Sequence, residues 1–290
     1  MGRKSILYRG FETFNYLLLV IIAISCVLPI VHYLAQSFSL FQAVQANQVG
    51  LWPVGFQLQG YIQAFRLEAL PNSFLVTIKR VILGGVIGLS VTAAAAYALS
   101  KGQDVLRGHK WYISFFVIAL LFNGGLIPTY LLVKSLGLLD TIWALVLPGA
   151  VNVFNMILLL NFFKGLPKEL EEAAMIDGAS HFDIFTRIYL PLSMPVIATV
   201  ALFTLVTDWN SWFDGAIYMN SENAPLATYL HNLLMQPGID ANTLTDQQQF
   251  YKPQMFKAPI VFITILPIMF AYPFLQRYFA KGIMLGGVKE

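Results

Sequence analysis

The chain has little of what a soluble enzyme needs. Only 11% of its 290 residues are charged, against 57% hydrophobic. Cys26 is its one cysteine, which excludes an intrachain disulfide and a cysteine metal cluster. Its four histidines, His32, His109, His181 and His231, are scattered over separate segments and suggest no shared metal or catalytic site. No Gly-x-x-x-x-Gly-Lys-Ser/Thr phosphate loop occurs, and neither His-Glu-x-x-His nor Gly-x-Ser-x-Gly is present. Any energised work by this chain must therefore draw on another chain or on an ion gradient.

What the sequence has instead is long uncharged runs. A bilayer crossing takes about 20 apolar residues, and six runs meet that requirement, at about 14–36, 72–100, 111–133, 141–163, 192–213 and 258–279. The expected architecture is all-α, a polytopic membrane protein with six transmembrane helices. The first run follows Arg3, Lys4 and Arg9 like a signal peptide, but it exceeds the usual h-region and reads as a retained span.

Basic residues set the orientation. With the N-terminus in the cytoplasm, twelve cations lie inside: Arg3, Lys4, Arg9, Lys101, Arg107, Lys110, Lys164, Lys168, Arg187, Arg277, Lys281 and Lys289. Four lie outside, Arg66, Lys134, Lys252 and Lys257, although the outer segments hold more residues. This bias predicts both termini in the cytoplasm. It gives a cytoplasmic N-terminus over 1–13 and one transmembrane domain over 14–290. That domain includes a cytoplasmic loop at 164–191 and a tail at 280–290.

The loop is the most polar stretch between two apolar runs. It holds Glu169, Glu171, Glu172, Asp177 and Asp183, five of the fifteen acidic residues. Pro167 suits a helix start, Gly178 a left-handed C-cap, and Ser180 with Asp183 a capping box. Leu170, Ala173 and Ala174 share one helical face. Such a helix presents a small, rigid apolar surface to a partner's groove.

The spacing is more specific than the caps. Glu172-Ala173-Ala174, three residues, Gly178, nine residues, Ile188, one residue and Leu190-Pro191 fit E-A-A-x3-G-x9-I-x-L-P at every fixed position. The loop thus resembles the coupling loop of permease subunits in bacterial binding-protein-dependent ABC importers. Further stretches resemble the maltose-type carbohydrate permeases and their oligosaccharide branch. These are Asn123-Gly124-Gly125-Leu126-Ile127-Pro128-Thr129-Tyr130, Leu136-Gly137-Leu138-Leu139-Asp140-Thr141 and Asp208-Trp209-Asn210-Ser211-Trp212-Phe213, with the tail Lys281-Gly282 and Gly286-Gly287-Val288-Lys289. The likeness covers nearly the whole chain and is weakest in the outer loop 38–71.

The resemblance implies the type I importer permease fold in the bacterial inner membrane, and half of a heterodimeric pore. It implies a second, non-identical permease, an ATPase dimer that binds ATP and magnesium, and an extracytoplasmic solute-binding protein. On this reading the chain is no enzyme and carries no cofactor. Glu171, Glu172, Ala173, Ala174, Asp177, Gly178, Leu190 and Pro191 are the candidate ATPase-coupling residues, in a coupling helix at 167–178.

The substrate path is read from residue chemistry. Aromatic faces and amide or carboxylate groups hold sugars, and Asp208, Trp209, Asn210, Trp212 and Asp214 offer that mixture, with Asn123, Asn152 and Asn155 as further candidates. The plainer alternatives are an aromatic belt for the tryptophans and interhelical hydrogen bonds for the asparagines. Lys79 and Arg80 stand within a span, where charge is costly. They snorkel to headgroups, pair with Asp208 or Asp214, or meet an anionic, uronate-containing oligosaccharide. A secondary transporter, a permease for a non-sugar solute and a membrane-embedded enzyme are the competing functions, but no internal repeat and no convergent nucleophile, base or metal cluster is visible.

Overall fold

The structure is a computed structural model that describes residues 6–235, 257–271 and 273. All regular structure among them is helical. Among the described residues two unbroken helices are long and apolar enough to cross a membrane, and up to four spans result if each of two bent helix pairs counts as one. Two shorter apolar helices stand in the fourth and sixth expected runs. Ile6–Ser37 and Ala69–Ser100 are the unbroken ones, each long and apolar enough to cross a membrane. The third run is not one straight helix. His109–Leu121 stops where Phe122 turns extended, and Leu126–Ser135 leaves at 113°. The cause is local: Gly125 takes φ +87°, and the Asn123 side chain accepts its backbone N–H at 2.9 Å.

The fourth run is likewise interrupted. A short turn, Ile142–Val146, precedes Val153–Lys164, and Asn152 caps the latter by accepting the Asn155 N–H at 3.0 Å. The fifth run is entered through a bend of 81° between Leu192 and Met194. Pro191 and Pro195 flank that bend, so the ladder loses donors on both sides of it. The sixth appears as Lys257–Ala271, and the tail 280–290 lies outside the described residues.

The chain packs as two compact units. Of the described residues, one comprises 6–68 with 232–235 and 257–266. Its long helix Ile6–Ser37 exposes most of its apolar side chains from Tyr8 to Leu28, including Leu17, Ile21, Ile24 and Leu28. The segment after this helix folds back onto its end. Tyr61 donates its hydroxyl to the Ser37 hydroxyl at 2.7 Å, and His32 Nδ1 meets the Gly50 carbonyl at 2.8 Å.

The second unit, 69–231 with 267–271 and 273 of the described residues, is organised on Ala69–Ser100, here called the central helix. Its buried stripe runs Ser73, Thr77, Arg80, Gly84, Gly88, Thr92 and Ala96, spaced three or four residues apart. Small residues there admit close neighbours. A Cβ on Gly88 would meet the Ala150 carbonyl at 3.0 Å, and one on Gly84 would meet the Asp208 carboxylate at 2.6 Å. Ordinary small-residue helix packing therefore accounts for the glycines. Ala93, Ala96, Met156, Leu159, Phe163, Val196 and Val200 form the core between the central helix, Val153–Lys164 and Met194–Asn210.

One knot fixes the far end of this unit. Asp140, at φ +57°, accepts the Asn220 backbone N–H at 2.9 Å and the side-chain amides of Asn220 and Asn223 at 2.8 and 3.1 Å. These donors, the Asn220 backbone first, hold its carboxyl below the ordinary range.

Candidate functional site

The polar loop folds as its local signals dictate. The acidic helix spans Lys168–Ile176, one residue after Pro167, with Glu169 and Glu171 in its first turn. Its end is a Schellman motif. Ala179 N–H reaches the Ala174 carbonyl at 2.9 Å, Gly178 N–H reaches Met175 at 3.0 Å, and Gly178 adopts φ +80°. Ser180 and Asp183 then form the capping box of the next helix, His181–Ile184.

Orientation of the acidic helix divides the candidate coupling residues. Glu172, Ala173, Asp177, Gly178 and Pro191 are exposed. So are Leu170, Met175 and above all Ile176, at 86%. Ala174 and Leu190 turn the other way and pack on the core. Sequence reasoning placed Ala173 and Ala174 on one partner-facing side; the fold gives Ala174 to the bundle instead.

Glu171 also faces inward. It accepts from Lys101 Nζ at 2.6 Å and from the Tyr189 hydroxyl at 2.8 Å. The Lys101 ammonium lies 4.1 Å from the ring centres of both Tyr97 and Tyr189. Burial by itself would raise the Glu171 carboxyl, but Lys101 and Tyr189 outweigh it and hold it below the ordinary value. Burial lowers the Lys101 ammonium, and Glu171 opposes that. Burial raises the Tyr189 hydroxyl and the adjacent Glu171 carboxylate adds to the rise, so this hydroxyl stays protonated as a donor.

The candidate substrate residues are only partly brought together. Asn152, Asn155 and Asp208 line one small cleft between the central helix, Val153–Lys164 and Met194–Asn210, with Thr92, Thr204 and Thr207. The others lie apart from it. Asn123 stays at the break of the third run. Trp209 is buried edge-on to Phe74 at 6.0 Å. The Asn210 amide donates to the Val206 carbonyl, and Trp212 stacks on His231 at 3.7 Å.

Lys79 and Arg80 do not act as a pair. Lys79 is exposed, whereas Arg80 is 4% exposed and lies on the buried stripe. The Arg80 guanidinium forks onto Asp214 at 3.1 and 2.5 Å, with Asp208 at 3.8 Å from Nε. Of the three roles open to these cations, Arg80 takes the pairing with acidic groups.

The cleft thus offers hydroxyls, amides and one carboxylate, a set suited to hydrogen bonding with a polyol. Among the described residues no group of three or more His, Cys, Asp or Glu could hold a metal ion.

Comparison with known proteins agrees with this construction. Residues 110–285 match the model of the binding-protein-dependent transport system inner membrane component family. A polygalacturonan/rhamnogalacturonan transport system permease protein, YtcP of Bacillus subtilis strain 168, is 38% identical over 97% of this chain and 99% of its own. Protein LplC of the same organism is 40% identical over 97% of this chain and 95% of its own. A solved chain from a bacterial ABC transporter involved in import of the acidic polysaccharide alginate superposes with a TM-score of 0.88. It is 30% identical, covering 96% of this chain and 100% of that one. Multi-pass helices, the matched family model and full-length similarity to transport permeases lead to one assignment: the chain belongs to the inner membrane components of binding-protein-dependent ABC transport systems.

Proposed function

We propose that this chain forms one half of a heterodimeric pore that passes an acidic oligosaccharide from an extracytoplasmic binding protein into the cytoplasm. Both termini lie in the cytoplasm, a placement supported by the twelve-to-four bias of cations. The acidic helix docks on a partner ATPase, which binds and hydrolyses ATP with magnesium; this chain carries out no covalent step. A second, different permease completes the pore.

The observation that carries the docking is the outward face of the acidic helix. Leu170, Met175 and Ile176 stand exposed on a rigidly capped helix, with Ala173 leaving its backbone approachable. An apolar helix face of this kind enters a groove. Nucleotide can shift the pore only by binding its two states with different affinity, and the docked helix is where that difference is transmitted.

Cargo chemistry follows from the relatives. Polygalacturonan and alginate, named for two of them, are both polyanions. Within this chain the cleft around Asn152, Asn155 and Asp208 is suited to sugar hydroxyls, because Arg80 is already engaged by two carboxylates. Lys79, which is exposed, is the cation of the two left open to a uronate. Cells carrying the intact system are expected to take up oligogalacturonate and not a neutral oligosaccharide of equal length. Lys79→Ala should slow oligogalacturonate uptake by about fivefold, the scale of one screened ionic contact. Equal uptake of both sugars by the parent would overturn the acidic cargo, and uptake of neither would point to a non-sugar solute.

A further inference from the structure

The acidic helix has nine residues and none of them is fully buried. A helix so short is not stable alone, so whatever force it receives must leave through its few inward contacts. Those are Ala174 on the core and the cluster around Glu171. The cluster draws on three elements. Tyr97 belongs to the last turn of the central helix and Lys101 follows that helix directly. Glu171 lies on the acidic helix. Tyr189 closes the π-helical turn Phe185–Tyr189, and wide turns of this type recur at functional positions.

We propose that Lys101, Glu171 and Tyr189 form the clamp through which movement of the acidic helix reaches the bundle, a role that rests on the docking proposed above. Lys101 and Glu171 form a charge-assisted hydrogen bond at 2.6 Å, with side chains only 6% and 15% exposed. Tyr189 adds its hydroxyl to the same carboxylate oxygen, and both tyrosine rings face the ammonium. Tyr97 also stands edge-on to Tyr189, with ring centres 4.9 Å apart. The clamp therefore ties the acidic helix to the end of the central helix and to the segment entering the fifth run.

Just beyond lies the 81° bend, where Ser193 is fully buried and its hydroxyl has no hydrogen-bond partner. A joint held on one side by the clamp and broken on the other by Pro191 and Pro195 moves as a lever about Ser193. Lys101, Glu171 and Tyr189 are positioning residues in this device. They touch neither nucleotide nor cargo.

The test uses the assembled transporter in proteoliposomes, with Cys26→Ser removing the one native cysteine and Thr207→Cys reporting from the cleft. The probe is a soluble maleimide, and the quantity read is its labelling rate with ATP relative to that without. The unclamped variants Lys101→Met and Glu171→Gln are expected to keep the ATPase bound yet lose the ATP response by about tenfold, within the range of a single coupling interaction. Tyr189→Phe, which deletes one hydroxyl, should lose less. The double variant Lys101→Met with Glu171→Gln should be no more defective than either single variant, the non-additivity of one coupled pair, which two independent structural defects would not show. A parental response in Lys101→Met and Tyr189→Phe overturns the clamp alone, and so does a double variant whose loss is the sum of the two single losses. No ATP response in the unaltered pair background, or no bound ATPase, overturns the docking and the clamp with it.

Discussion

Gly178→Asp is expected to abolish uptake while the subunit still accumulates in the membrane at its normal level. Gly178 sits at φ +80° in the Schellman turn, and a Cβ there would meet nothing within 4 Å. The substitution therefore costs the fold only the left-handed strain, about 1 kcal/mol for an Asp. Its main effect is expected at the surface, where a charged side chain is added near Ile176 on the face proposed to dock. A loss of about 3 kcal/mol in docking is roughly a hundredfold in affinity. Gly178→Ala supplies the control, because it carries at least as much backbone strain with little bulk and no charge. Uptake and subunit level measured together decide the case. Normal uptake by Gly178→Asp would remove the docking role of this turn, and equal failure of both variants would make it a backbone effect.

The second large effect is on stability. Arg80→Leu is expected to lower the melting temperature of the detergent-purified complex sharply, or to prevent the subunit from accumulating. The guanidinium is buried on the central stripe and holds Asp214 by two bonds, with Asp208 next to it. Deleting one member of a buried pair leaves the other uncompensated, a cost of about 3–5 kcal/mol. Here two carboxylates would be left side by side. Arg80→Lys keeps the charge but not the planar fork and should fall between the two. Arg80→Met with Asp214→Asn removes charge from both sides and should recover part of the loss. A parental melting temperature for Arg80→Leu would show that this cluster is no anchor.

The contrast between Lys79 and Arg80 shows what the sequence could reveal and what it withheld. Adjacent helix positions point about 100° apart, and Arg80 continues the series Ser73, Thr77, Gly84, Gly88 while Lys79 does not. The burial of Arg80 was thus legible from spacing. Its pairing with Asp214, 134 residues away, was one of three roles that the sequence left open, and only the fold selects it. The caps at Gly178 and Ser180 were fully legible because each depends on neighbours within a few residues. So was the entire spaced pattern from Glu172 to Pro191.

Glu171 is the opposite case. Nothing local distinguishes it from Glu172, yet Lys101, 70 residues earlier, turns it from a surface group into an internal one. Trp209 met the same fate through Phe74, and Asn152, a candidate for cargo, also serves as a helix cap. The break at Asn123-Gly124-Gly125 was visible as residue types, but hydropathy alone read through it as one run over 111–133. An apolar run reports how much chain prefers lipid, not whether it stays helical throughout.

Site-directed photo-crosslinking from position 176 tests the central proposal most directly. Ile176 is the most exposed apolar side chain of the acidic helix, and a photoreactive residue there, in membranes of cells carrying the whole system, is expected to capture the nucleotide-binding ATPase subunit. The crosslink should disappear with Gly178→Asp. Capture of the ATPase from an outer position such as Trp52, and never from position 176, would contradict both the docking and the orientation proposed here.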